Sequence, residues 1–151
     1  MGDHRKTLVL GYGNPARGDD GLGPAMIVLL DQADFDQLET RVDYQLCVED
    51  AMDIGNFKHV IFVDASPSIA PPYHLYPLED SARPMSLDTH SVSPEAMMFL
   101  ARTLFSATTT ASVLAIRGYV FEPFVESLSS AAEGNLEQAF QHLVEKYDSR
   151  E

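Results

Sequence analysis

Cysteine is almost absent from this chain: 151 residues contain one, Cys47. A lone thiol closes no internal disulfide and builds no cysteine metal cluster, which agrees with a reducing cytoplasm as the compartment. Positive charge is scarce as well, with ten Lys and Arg against 23 Asp and Glu and a formal net charge of −13. Such an excess repels phosphate backbones and anionic lipid, so neither nucleic acid nor membrane is expected as a partner. Long apolar runs are missing too. The start, MGDHRKTLVLGYG, is basic but carries only a short apolar run broken by glycines. Nothing approaches the ~20 apolar residues that span a bilayer, and no secretion signal is expected. Internal repeats and low-complexity tracts do not occur. Several standard site motifs are also lacking, among them G-x-x-x-x-G-K-[ST], H-E-x-x-H and G-x-S-x-G.

What remains is enough for one ordinary domain over 1–151, since 45% of the residues are apolar. TLVLGY from Thr7 reads as a strand, and AMIVLLDQ after a glycine-rich loop as a largely buried helix. RVDYQLCV from Arg41 sets Val42, Tyr44, Leu46 and Val48 at period two, which predicts a strand that includes Cys47. HVIFVDA from His59 is a continuous apolar run closed by Asp64, as in a central parallel strand. A short strand is expected at Tyr73 to Tyr76, within a Pro-rich segment. In SPEAMMFLARTLF, Ser93 suits a helix cap, Pro94 the first helical position, and Met97, Leu100, Ala101 and Leu104 one face. SVLAIRG from Ser112 is a further strand. Ser130 and Glu133 have capping-box spacing ahead of a last helix striped by Leu136, Ala139, Phe140, Leu143 and Val144. Strands alternating with helices predict an α/β fold: a three-layer α/β/α sandwich around a mainly parallel, twisted sheet of about five strands. Sites in such sheets lie beyond the carboxyl ends of the strands.

That rule selects carboxylates. GYGNPARGDDGLGP, between the first strand and helix, contains five glycines, two prolines and the pair Asp19 and Asp20, and Asp64 ends the third strand. Each acid has a plain structural alternative. Asp64 suits a cap on the loop DASPS, and one of the pair suits the N-cap of the following helix. The segment GYGNPA also fits the fingerprint G-x-G-x-x-[G/A], but a pyrophosphate there would meet two negative charges with Arg17 alone to offset them. A cation fits better, and imidazole is the usual third ligand beside two carboxylates. His4 is terminal, His59 opens a strand at its far end, His142 is on the last helix and His74 is unplaced. His90, in SLDTHSVSPEA just before a helix, is either a surface loop histidine or the partner of Asp20 and Asp64.

The segments GYGNPARGDDGLGP, VIFVDAS, DTHSVSPEAMMFLA and IRGYVFEPFVESLSSAAEGNLEQA stand in an order that resembles the hydrogenase maturation proteases over nearly the full chain. The first contains G-x-G-N-x-x-x-x-D-[DE]. The resemblance implies a three-layer α/β peptidase of the cytoplasm that removes a C-terminal extension from the nickel-loaded precursor of a [NiFe] hydrogenase large subunit. It further implies a carboxylate-dependent, nickel-directed site in which Asp20, Asp64 and His90 hold the nickel, an ion brought by the substrate. Asp19, next to Asp20, is the candidate for a carboxylate that supports the ligand from behind or orients water. Two departures stand out: Asp20 where some relatives carry Glu, and CVEDAMDI, Cys47 to Ile54, where many have a Gly-Gly-Thr turn. Glu49 and Asp50 in that segment are read as a cap for a short helix. Either the ion only docks and positions the scissile bond, or it or a carboxylate also activates water. A monomer is expected. The alternative function is a non-enzymatic α/β module that uses the same residues to hold a metal or a partner protein.

Overall fold

The computed structural model describes residues 4–79 and 92–148. In chain order it has β1 (Thr7–Tyr12), a 3₁₀ turn (Gly18–Gly21), α1 (Leu22–Ala33), β2 (Leu38–Asp43), α2 (Asp50–Ile54), β3 (His59–Ser66), β4 (Tyr73–Pro77), α3 (Pro94–Phe105), β5 (Thr110–Arg117) and α4 (Ser130–Tyr147). The strands form one sheet in the order β2-β1-β3-β5-β4. The first four of these run parallel, and β4 alone is antiparallel, against β5.

Alternation along the central strands divides the core in two. Leu8, Leu10, Val60, Phe62, Val113 and Ala115 face α2 and α3. Val9, Ile61, Val63, Leu114 and Ile116 face the opposite way, against α1 and α4. Both faces of β3 are therefore buried, which is why its sequence is a continuous apolar run rather than an alternating one. The expected three-layer α/β/α sandwich is the architecture observed. Among the described residues, no helix is long and apolar enough to cross a membrane.

Four local expectations change. The second strand ends at Asp43 instead of running through Val48. Val42, Tyr44 and Val48 are exposed and only Leu46 is buried, so the period-two row does not define a buried face. A strand at the sheet edge has one neighbour to hold it, and the chain leaves the ladder into a turn instead. Cys47 therefore lies off the strand, in a turn where its N–H donates to Asp50 Oδ2 (3.0 Å) and its carbonyl accepts from Asp50 N (3.0 Å). Asp50, rather than Glu49, secures the entry to α2. On α3, Ser93 caps as expected, its Oγ accepting from Ala96 N at 3.1 Å, with Pro94 next. Ala96, Met97, Met98 and Ala101 fill the core, whereas Leu104 is 63% exposed in the last turn. The cap of α4 is Ser129, one residue ahead of the expected Ser130.

Candidate active site

The glycine loop is shaped by close approach. Gly13 has φ +138, and a Cβ there would stand 2.0 Å from the carbonyl oxygen of Asp20, so no side chain fits. Gly23, in the first turn of α1, would place a Cβ 2.4 Å from the carbonyl of Tyr12 and 2.8 Å from that of Val63, which lets the helix settle directly on β1 and β3. This compression brings Asp20 back against the end of β1. There the Asn14 N–H donates to Asp20 Oδ2 at 2.7 Å, while Asn14 Oδ1 accepts from Ala16 N at 2.9 Å and holds the turn.

Asp64 reaches the same edge along β3. It continues the row Val60, Phe62 toward the α3 side, and it lies one residue beyond the Gly11↔Val63 pair, next to Tyr12. The Tyr12 phenol hydrogen-bonds its carboxylate. Burial lifts the Asp64 pKa to about 6; the Tyr12 phenol and the Ala65 N–H pull it down, and the nearby charge of Asp20 pushes it up. The charge of Asp20 is thus near enough to act on Asp64, and the two carboxylates are neighbours at the carboxyl edge of the sheet. Two anions held together in a half-dry setting make a place for a cation.

Three further residues are linked electrostatically to Asp64 or to one another and were not singled out from the sequence: Tyr12, Tyr76 on β4 and Glu95 in the first turn of α3. The Tyr12 phenol is driven upward by burial first and by Asp64 next, with Tyr76 and Glu95 adding to it. Burial also raises Tyr76, as do Glu95 and Asp64. A signal for Tyr12 did exist, since it follows Leu8 and Leu10 at period two at the very end of a buried strand. Tyr76 and Glu95 arrive only through the sheet order and the docking of α3. His74 stacks on Tyr76, with ring centroids 5.1 Å apart, and shares with Asp64 the cross-strand row through Ala115.

Asp19 is built into the scaffold and does not open to solvent. Its side chain is 0% exposed. Oδ2 accepts from Tyr119 N (2.7 Å), Val120 N (3.0 Å) and Ser129 Oγ (2.7 Å), and Oδ1 from Ser129 N (2.7 Å). Burial works against its charge, but the Ser129, Val120 and Tyr119 donors prevail and hold its pKa below the ordinary value. Of the two expected roles, this burial favours the carboxylate that supports its neighbour Asp20 over one that orients water directly. Neither Asp19 nor Asp20 caps α1, whose N-cap is Gly21. In DASPS the Asp64 carboxylate takes the Ala65 N–H, while the turn beyond is held by Ser66, whose Oγ accepts from the N–H groups of Ser68 and Ile69, both at 3.3 Å.

The chain was compared with known proteins. No family model matches it, and no curated protein matches it by sequence. Solved structures do match. A hydrogenase 2 maturation peptidase from Thaumarchaeota archaeon SCGC_AB-539-E09 superposes with a TM-score of 0.68 at 24% identity, over 94% of this chain and 97% of that one. The [NiFe] hydrogenase maturation protease HycI from Thermococcus kodakarensis KOD1 gives 0.74 at 16% identity, over 96% and 94%. The hydrogenase maturating endopeptidase HybD from E. coli gives 0.66 at 22%, over 93% and 91%. The chain has the hydrogenase maturation protease fold.

Within that fold the remaining candidates fall as follows. His90 lies outside the described residues. Four residues after it comes Pro94, which opens α3, the helix that carries Glu95; Val92, between them, is buried and donates its N–H to Leu46 O at 3.2 Å. Among the described residues no three His, Cys, Asp or Glu side chains converge as a metal site. His59 is at the opposite edge, bonded to Thr110 Oγ1 (2.6 Å) and Ser112 Oγ (2.9 Å). His142 packs on Tyr73. Cys47 is exposed, and desolvation together with Asp50, Asp43 and Glu49 raises its thiol, which disfavours the nucleophilic thiolate. Beside the glycine loop, a groove of about 510 Å³ runs between α1 and the end of β2, walled by Gly13, Pro15, Ile27, Val28, Val42 and Tyr44.

Proposed function

We propose that this chain is a hydrogenase maturation endopeptidase, cutting a C-terminal extension from the nickel-loaded precursor of a [NiFe] hydrogenase large subunit. The observation that supports the proposal is that Asp20, in the turn after β1, and Asp64, near the end of β3 and 44 residues further along the chain, are neighbours at the carboxyl edge of the sheet. Hard oxygen ligands that repel each other gain from a shared divalent ion. The nickel is cargo of the substrate. Asp20, Asp64 and His90 grip it while the precursor still holds it, and this fixes the scissile bond relative to the peptidase, a gain in effective concentration. His90 completes the set as the neutral imidazole that transition metals favour. The adjoining groove offers an extended chain a mostly apolar bed next to the glycine loop. A cytoplasmic setting and a monomeric enzyme accompany this reading.

The test is direct. The protein is incubated with nickel-loaded and nickel-free large-subunit precursor, and the product is weighed by mass spectrometry. A shortened product from the loaded form alone is the expected result. Binding at full occupancy without shortening would leave the protein as a metal- or partner-binding module instead.

A further inference from the structure

The segment between β5 and α4, residues 118–129, is tied to the residues that lead into Asp20. Its frame is unusually well fixed. Asp19 N donates to Val120 O (2.7 Å), Gly18 N to Val125 O (2.6 Å) and the Arg17 guanidinium to Phe121 O (3.1 Å). Arg17 and Val125 form a parallel β-bridge. The Asp19 carboxylate takes the N–H groups of Tyr119, Val120 and Ser129. Every one of these ties ends on Arg17, Gly18 or Asp19, the residues immediately before Asp20. Two apolar side chains of the segment, Phe121 and Leu128, pack against the core.

Phe124 does the opposite. It is 93% exposed, and its φ is +66, a left-handed conformation that suits Gly or Asn and disfavours an aromatic residue. A loose loop would relax both features, but this one is pinned on either side. An aromatic residue held outward in an unfavourable conformation by a rigid frame is the profile of an anchor that is covered on binding. Glu122 and Glu126 flank it, both exposed.

We infer that Phe124 is the aromatic anchor by which the enzyme seats the folded, metal-bearing body of its substrate, entering an apolar socket rimmed by Lys or Arg that pair with Glu122 and Glu126. This rests on the activity proposed above. An ion carried on another protein reaches Asp20 and Asp64 only if that protein covers the surface around them. The Phe124 loop, hydrogen-bonded to the three residues ahead of Asp20, is part of that surface. The socket's basic rim follows from charge complementarity with the two glutamates and with a chain of net charge −13.

Phe124→Gly and Phe124→Asn keep the left-handed backbone while removing the ring. Processing of nickel-loaded precursor is measured for both, with the Kd for the precursor by biolayer interferometry and Tm by calorimetry. The expected result is a KM and a Kd raised about 30-fold, the cost of one strong anchor, with kcat and Tm unchanged and affinity largely kept by Phe124→Trp. An unchanged KM and Kd in Phe124→Gly overturns the inference while the activity stands. Should the wild-type protein bind precursor without shortening it, a Kd that depends on Phe124 upholds the anchor and removes the peptidase. Failure to bind at all overturns both.

Discussion

Four hydrogen bonds converge on the carboxylate of Asp19, three from backbone N–H groups and one from a hydroxyl. Asp64, at the same edge of the same sheet, is desolvated with a phenol and one N–H to offset the repulsion of Asp20. The two acids respond in opposite directions, Asp19 below the ordinary carboxylate pKa and Asp64 above it. A carboxylate supplied with all its donors is finished and holds the scaffold. One left short of them keeps an unmet demand for positive charge, which a metal ion can satisfy.

The largest expected effect is on the finished acid. Asp19→Ala leaves four buried or part-buried donors unpaired, and at about 1–3 kcal/mol for each unsatisfied group, partly recovered by water, it should cost about 3–5 kcal/mol in urea unfolding. That is a large share of the ~5–15 kcal/mol that holds an ordinary domain together. Because its folded pKa is depressed, the contribution of Asp19 is present at pH above the unfolded value of 3.8 and fades as pH falls through the lower folded value. An Asp19→Ala protein of unchanged stability would dissolve the contrast with Asp64.

Next comes the unfinished pair. Asp20→Asn and Asp64→Asn keep shape and hydrogen-bonding size but lose the charge that attracts the ion. Residues one step removed from a metal cost about 10–100-fold when replaced, so these two should lower processing by more than about 100-fold. His90→Ala should behave alike. Near-normal shortening of the precursor by any of the three, followed by mass, removes that residue from the proposed ligand set.

How far the sequence carried this contrast depends on range. The layers and the carboxyl-edge location of Asp20 and Asp64 were legible because β1 and β3 announce themselves by short apolar runs and the glycines mark the turn between β1 and α1. Which of the adjacent acids is structural was not legible for a definite reason: all the partners of Asp19, Tyr119, Val120 and Ser129, are about 100 residues away, and no local pattern reports them. The one-residue shift from Ser130 to Ser129 has the same origin, since Ser129 also donates its hydroxyl to Asp19. The second strand was drawn too far because period-two alternation was read as burial, while at this sheet edge Val42 and Tyr44 alternate into solvent. Tyr76 and Glu95 needed the antiparallel β4 and the placement of α3, neither of which leaves a mark near Asp64 in the chain.

A third, smaller effect separates the two acids by stability. The folded pKa of Asp64, about 6, lies above its ordinary 3.8, so the native state binds that proton more tightly than the unfolded chain does. Asp64 therefore disfavours folding as pH rises from 4 through 6, the reverse of Asp19. The full span corresponds to at most about 3 kcal/mol, and partial solvent contact reduces it to about 1–2 kcal/mol. Asp64→Asn should gain that much at pH 7 and nothing at pH 3.5, read as the difference in unfolding free energy from wild type at each pH. A loss of stability at pH 7 would place Asp64 with Asp19 among the scaffold acids.

The smallest effect tests the partner that keeps Asp64 ionisable. Gripping a cation requires the carboxylate, so processing should fall as pH drops through about 6, where Asp64 takes up its proton. The Tyr12 phenol opposes that uptake by donating to the charged form. In Tyr12→Phe the ring still fills its place at the end of β1, but the donor is gone and burial acts unopposed by it. One hydrogen bond to a carboxylate at this depth is worth about 1 kcal/mol, so the acid limb of the processing profile should move upward by about one pH unit or less. The rate well above the limb should be little changed, which distinguishes a shifted titration from a damaged site. An acid limb that stays in place in Tyr12→Phe would mean that Asp64 draws its support from the Ala65 N–H alone, and that Tyr12 lies beside it without tuning it.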